Sequence, residues 1–338
     1  MNPEPRPTLK GIAHQAGVSI ATASRALADN PAVALATRTR IQALAADLGY
    51  RPNAQARALQ SSRSNTIGIV VPSLINRYFA VMVTAIQDAA SKAGLATIIT
   101  NNNEDTATMA ASLEFLTSHG VDGIICVPDE GCSEQLEQLH KQGTPLVLID
   151  RELPGTAIPM VTSDPQPGIE AAVSLLVDHE ALPIGYLSGP MATSTGRRRL
   201  EAFQRACVDA GLEEQLVFLG GYEQSKGFQG ANTLMEQGAK TLFAGDTMMT
   251  IGVLEACHAA GLIIGEDINV VGFDRQPMFD LQPRPLTVID QHVDTMAQQA
   301  FSMLNGLMAA EQPSQQHFLI PTTLIQRHSI KEKTSSHD

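Results

Sequence analysis

The chain has 338 residues, of which 43 % are hydrophobic and 17 % charged, a balance that excludes a disordered polypeptide and leaves room for two or three folded units. No apolar run is long enough to cross a bilayer, and the opening MNPEPRPTLK has no apolar signal core, so a cytoplasmic protein without membrane contact is expected. The net charge of −12 argues against a nucleic-acid partner until its distribution is read. Residues 1–64 hold eight Lys and Arg against three Asp and Glu, a net +5, so the other 274 residues carry −17. A small basic head on a large acidic body suits a polyanion partner for one end only. Cys126, Cys132, Cys207 and Cys257 show no CxxC spacing and no close histidine, which points to reduced, inert thiols and no metal.

The head reads as three short helices. In TLKGIAHQAG the apolar residues Leu9, Ile12, Ala13 and Ala16 recur at i, i+3, i+4, i+7. Gly17 breaks that pattern and Ser19 is a good N-cap for a second helix, with Ile20, Ala23 and Leu27 on one face. A third helix is expected over about Thr37 to Leu48, striped by Ile41, Leu44, Ala45 and Leu48 and ended by Gly49. Two helices joined by a short glycine-bearing turn make a helix-turn-helix unit. In such a unit the N-terminal part of the second helix, here Ser19, Ile20, Ala21, Thr22, Ser24 and Arg25, enters the major groove. Small residues permit close approach, Thr22 and Ser24 can bond phosphate or base, and Arg25 can fork onto guanine or phosphate. A plain solvated helix surface is the alternative.

Pro52 then stops the chain and Asn53 can cap a new turn. AQARALQ is helix-prone but, at about two turns, too short to be stable alone. The Ser-rich SSRSN that follows is a linker.

From Asn65 strands and helices alternate. Strands are expected at TIGIVVP, ATIITNN, VDGIICVP, PLVLIDR, IGYLSGP, LVFLGG, TLFAGD, INVVGFD and LTVIDQ. They are near-continuous Val/Ile/Leu runs, which implies parallel sheets covered by helices on both faces. Polar residues gather at their C-terminal ends, among them Asn101 to Asn103, Asp150, Arg151, Asp246, Asp274 and Gln291, where open parallel sheets bind ligands. No GxGxxG or P-loop opens a βα turn, so no nucleotide cofactor is expected.

The combined pattern resembles the lactose-repressor/galactose-repressor (LacI/GalR) family of bacterial transcription regulators. LKGIAHQAGVSIATASRAL, VALATRTRIQALAADLGYRPNAQARAL, IGIVVP, NRYF, LIDR, SGPMATSTGRRRLEAF, VVGFDRQP, LTVIDQ and PTTLIQRHS carry the likeness over about Thr8 to Ile330. The resemblance implies a three-helix head over 1–52 and a hinge helix and linker over 53–64. A two-lobed core like that of periplasmic sugar-binding proteins would cover 65–330, and a tail 331–338. The first lobe is expected at about 65–162 plus 292–320 and the second at about 163–291 plus 321–330. It further implies dimers or tetramers, a pseudo-palindromic operator as DNA partner, and a small effector bound between the lobes.

By this resemblance Ile20 and Ala21 sit where the family reads bases. The NAQARALQ segment matches a hinge helix that folds on operator DNA. Its Leu59 would wedge between base pairs in the minor groove, with Asn53 at the start and Ala54 and Arg57 toward the groove or the partner hinge. Effector contacts are expected from Tyr78 and Phe79 at the ring, Asp150 and Arg151 as acceptor and donor, Arg199, Tyr222, Asp246, Asp274 and Gln291, with Asp164 more remote. Alternatives stay open: core packing for Tyr78 and Phe79, a salt bridge for Asp150 and Arg151, an N-cap for Asp246. Arg197 and Arg198, beside the ligand residue Arg199, are expected to be solvated. The family usually has Asn where this chain has Gly245, so one ligand amide is missing. The usual glycine–histidine before the sixth strand is replaced by HEALP.

The DR after the fourth strand, with NRYF and Gln291, resembles the ribose-binding branch. A pentose such as ribose is the first expectation, with a nucleoside or hexose as the alternatives, acting as inducer or corepressor. A solute-binding protein without a DNA role would need export and no basic head. An enzyme would need a nucleophile–base pair or a metal set, neither of which can be located in the sequence.

Overall fold

A computed structural model describes residues 7–50, 63–212 and 215–332. The chain forms two compact units, 1–64 and 65–338.

In the first unit, α1 (Leu9–Gln15) begins where Thr8 accepts the Gly11 N–H, and Ser19 caps α2 (Ile20–Leu27) by accepting the Thr22 N–H at 3.1 Å. Gly17 between them takes φ 63°, a conformation glycine adopts without a Cβ penalty. The third helix, α3 (Leu35–Asp47), starts two residues before the expected Thr37, because the Ala34 carbonyl already accepts the Arg38 N–H and nothing in Leu35–Ala36 resists helix. Ile12, Ala16, Ala26, Val33, Ile41 and Ala45 form the core. Ile20 is not part of it. At about 100° per residue it lies roughly 90° around α2 from the mid-line of Ala23 and Ala26, and it is 49 % exposed. The α3 stripe also stops short of its end, since Leu48 is exposed. Arg40 and Gln42 brace the helices by donating to the Ala16 and Ala26 carbonyls.

The second unit holds two six-stranded sheets. The first contains β1 (Thr66–Val71), β2 (Ala96–Asn101), β3 (Gly123–Cys126), β4 (Leu146–Asp150), β5 (Met160–Asp164) and β11 (His317–Pro321), in the order β11-β5-β4-β3-β1-β2, all parallel. The second contains β6 (Ile184–Ser188), β7 (Leu216–Leu219), β8 (Thr241–Ala244), β9 (Asn269–Phe273), β10 (Thr287–Asp290) and β12 (Thr323–Ile325), in the order β12-β10-β9-β8-β6-β7. All nine expected strands are present. The edge strand β12 departs from the parallel expectation by running antiparallel to β10. The expected lobe boundary between 162 and 163 falls inside β5, whose pairing with β11 runs on to Asp164.

Each sheet is covered on both faces. In the first, α4 (Arg77–Lys92) and α12 (Val293–Met308) bury Tyr78, Met82, Ile86, Ala300 and Leu304 on one side; α5 (Thr106–Ser118) and α6 (Ser133–Lys141) bury Met109, Leu113 and Leu136 on the other. In the second, α7 (Gln166–Asp178) and α8 (Ser194–Asp209) oppose α9 (Gln224–Glu236) and α10 (Thr247–Ala259). One short helix, α11 (Pro277–Asp280), follows β9. Three segments pass between the sheets, after β5, β10 and β11. This places strand C-termini of both lobes around one cleft. All four cysteines are buried and unpaired. No described helix is long and apolar enough to cross a membrane.

Candidate functional site

The inner end of the cleft is a small chamber of about 20 Å³ lined by Asn76, Tyr78, Phe79, Asp150, Arg151, Thr195, Arg199, Tyr222, Asp246, Asp274 and Gln291. Nine of the ten expected effector residues meet there. Asp164 does not: its carboxylate accepts the Gln166 N–H at the start of α7. Outside the chamber, and sharing Arg151 and Tyr222 with it, lies a vestibule of about 750 Å³.

The chamber is a continuous hydrogen-bond chain. Arg199, in α8, donates to the Gly245 carbonyl at 2.8 Å and to Gln291 Oε1 at 2.8 Å. Gln291 Nε2 donates to Asp274 Oδ1 at 2.5 Å, and Thr247 donates to Asp274 Oδ2 at 2.6 Å. Ser163 donates to Gln291 Oε1 at 2.7 Å, tying the end of β5 to the second lobe. On the first-lobe side the Tyr78 hydroxyl donates to Asp150 Oδ1 at 2.6 Å. The Arg199 guanidinium lies 4.3 Å from the Phe273 ring centroid, a cation–π contact.

Asp150 and Asp274 both end strands with positive φ, 72° and 66°. A non-glycine residue held there costs about 1–3 kcal/mol, and such positions cluster where a side chain must be aimed. Here both turns direct a carboxylate into the chamber.

The electrostatics follow from burial. Burial pushes the carboxyls of Asp150 and Asp274 above their ordinary value, and the Arg199 charge opposes it in both. Asp246 is pushed up to about 7 by burial, against the Met249 N–H and Arg199. Burial disfavours the Arg199 charge, but Tyr222, Asp274 and Asp150 outweigh it and hold its pKa above the usual value.

Some expectations are corrected. Arg151 does not pair with the adjacent Asp150; its two terminal nitrogens donate to Glu104 at 2.8 and 2.6 Å, and its guanidinium lies 5.6 Å from the Tyr222 ring centroid. Arg197 and Arg198 are not simply solvated. Each crosses the cleft, Arg197 to Glu130 at 2.5 Å and Arg198 to Glu152. Asp246 is an N-cap, its Oδ1 accepting the Met249 N–H at 2.6 Å, and it also lines the chamber. Tyr78 and Phe79 likewise belong both to the core and to the chamber wall. Asn76, Thr195, Thr247, Ser163 and Glu104 were not singled out from the sequence; Asn76 lay in the quoted NRYF and Thr195 in the quoted SGPMATSTGRRRLEAF, while the others carry no local signal.

In the head, Ile20, Ala21 and Arg25 are exposed and Thr22 and Ser24 half-buried, forming the outer face of the N-terminal part of α2. The Thr22 hydroxyl is 2.9 Å from Ser19 Oγ. Asn53, Ala54, Arg57 and Leu59 lie outside the described residues.

Comparison with known proteins agrees with this architecture. The family described as "Bacterial regulatory proteins, lacI family" matches residues 8–53, and "Periplasmic binding protein-like domain" matches residues 173–330. A probable LacI family transcriptional regulator from Corynebacterium glutamicum is 66 % identical, with TM-score 0.75 over 79 % of this chain and 99 % of that one. The ribose operon repressor of Bacillus subtilis is 28 % identical over 96 % of this chain and 99 % of its own. The lac repressor dimer bound to operator and the anti-inducer ONPF shares the fold, with TM-score 0.86 and 24 % identity over 97 % of this chain and 100 % of that one. A helix-turn-helix head followed by a two-sheet α/β core, matched along its length by such relatives, identifies the chain as a member of the LacI family of DNA-binding transcriptional regulators.

Proposed function

We propose that the protein is a transcriptional repressor whose operator affinity is set by a pentose, ribose first, bound between the lobes against the polar wall of the chamber; at about 20 Å³ the chamber has room for about one water, so the lobes part to admit the sugar. The observation that carries the reading is the buried chain Thr247–Asp274–Gln291–Arg199 facing Asp150, Tyr78 and Asn76. Neutral hydroxyls both donate and accept, and this wall offers carboxylates, an amide and a guanidinium within a few ångströms, with aromatic rings beside them. The ribose operon repressor among the relatives supports the choice of sugar. Two heads of a homodimer would read a pseudo-palindrome.

The effector changes operator affinity by its differential affinity for the two states of the repressor. Calorimetric titration with D-ribose, other pentoses, hexoses and nucleosides tests the ligand. Operator selected from random DNA, then titrated with the bound sugar, tests the coupling: weaker operator binding marks an inducer, tighter binding a corepressor, and no change overturns the regulatory role.

For the hinge, Leu59 is proposed as the minor-groove wedge. Leu59→Ala should weaken binding to the selected operator far more than to unrelated DNA; equal losses overturn the wedge.

A further inference from the structure

Tyr186 stands on β6, next to β8 in the second sheet. Its ring is accounted for by packing: it stacks on Phe203 with centroids 4.3 Å apart and meets Phe243 edge-on at 5.3 Å. Its hydroxyl is not. The Oη is buried and has no hydrogen-bond partner among the described residues. The same is true of Asp246 Oδ2, whose sister oxygen caps α10. Buried polar atoms are nearly always paired, so two orphans beside one ligand chamber call for an explanation.

The residue between them supplies it. At Gly245 a Cβ would come within 2.8 Å of the Leu187 carbonyl and 3.0 Å of Tyr186 Oη. The hydroxyl therefore occupies the space that a side chain at 245 would need. Strands β9 and β10 are each followed directly by a polar residue that lines the chamber, Asp274 after Phe273 and Gln291 after Asp290. β8 is followed by Gly245, and Tyr186 on the neighbouring strand brings its hydroxyl into the space a side chain there would fill. Tyr186 stands just behind the chamber wall: three residues that line the chamber, Arg199, Tyr222 and Asp246, act electrostatically on its hydroxyl. Burial keeps the phenol neutral, hence a donor.

We propose that Tyr186 is a specificity-determining residue whose hydroxyl donates to an oxygen of the effector at the Gly245 end of the chamber, where Asp246 Oδ2 accepts from an effector hydroxyl. The pair selects a hydroxylated carbon at that end. The inference rests on the sugar reading of the chamber.

Tyr186→Phe tests it in the full-length protein, with two readouts. In the ligand-free protein the variant removes a donor without a partner, so its Tm stays the same or rises. With D-ribose it binds roughly 3- to 10-fold more weakly, and one monodeoxy form of D-ribose loses nothing further from the substitution. A ligand-free Tm lowered by several degrees would mean the hydroxyl holds the fold, and an unchanged ribose affinity would mean it touches no ligand; either overturns the proposal. If the wild type takes D-glucose or cytidine instead of a pentose, the pentose reading fails and the Tyr186→Phe comparison on that ligand still decides the subsite. If none of these binds, both readings fall.

Discussion

Arg199 and Gln291 meet at 2.8 Å in the floor of the cleft, although 92 positions separate them in the chain. The contact joins α8 to the segment leaving β10, and through Ser163 it reaches the end of β5 in the other sheet. The wall of the chamber and the passage between the lobes thus share the same side chains.

Removing Arg199 should therefore damage both. Arg199→Ala leaves Asp150, Asp246 and Asp274 buried without their common cation. Breaking a buried charge cluster in this way costs about 3–5 kcal/mol. Urea unfolding of the variant should show a loss of that order, and the sugar-induced rise in Tm should disappear.

The cross-cleft pairs Arg197–Glu130 and Arg198–Glu152 act differently. Their side chains are about 30–40 % exposed, so each pair contributes at most about 1 kcal/mol and is screened by salt. Glu152→Gln should change effector affinity less than about fivefold, by weakening lobe closure, and leave Tm nearly unaltered. Raising salt should weaken effector binding in the wild type more than in the doubly neutralised Glu130→Gln, Glu152→Gln variant; identical salt slopes would show that the pairs do not favour closure.

Asp246, as part of the proposed effector site, should make effector binding depend on pH. Its folded-state pKa of about 7 lies above the ordinary carboxyl value, so between about pH 4 and 7 the folded chain holds a proton that the unfolded chain has released. This contribution to ligand-free stability falls as pH rises through that window and levels off above 7. An effector hydroxyl donating to the ionised carboxylate reverses the preference, so sugar affinity should rise from pH 6 to 8. The facing groups are Arg199, Asp274, Tyr186 and the N–H groups of Met248 and Met249. Asp246→Asn retains the cap and should flatten the affinity profile, measured by calorimetry at each pH.

In the head, stability and reading should separate. Ser19→Ala removes the cap of α2 and should destabilise the head by about 1 kcal/mol. Ile20→Ala, at a 49 % exposed position, should cost little stability yet alter operator affinity and base preference. Paired measurements of thermal unfolding and binding to a selected operator check the contrast.

The stretches that could be read in advance were those where local pattern and final environment coincide. Seven of the nine Val/Ile/Leu runs became strands buried along nearly their whole length, and a strand buried on both faces must be apolar throughout; the other two, β2 and β7, are partly exposed sheet edges that keep an apolar run. The strands β5, β11 and β12 escaped notice for the opposite reason. MVTSD holds two apolar residues, and β11 and β12 are partly exposed edge strands whose pairing comes from distant partners. Of the site, Asp150, Asp274 and Gln291 were legible because polar residues following apolar strands stand at the ligand-binding end of a parallel sheet.

The amino-acid order by itself determined the three-helix head with its Ser19 cap, the alternation that builds the two lobes, and the polar strand ends. Tertiary structure decided which of those polar groups meet. Arg151 turns to Glu104, Arg197 and Arg198 cross the cleft, Ile20 leaves the head core, and the Tyr186 hydroxyl comes to rest beside Gly245. Helix and strand periods follow from neighbours a few residues apart, whereas hydrogen bonds and ion pairs in the cleft follow from where the sheets place residues dozens of positions apart.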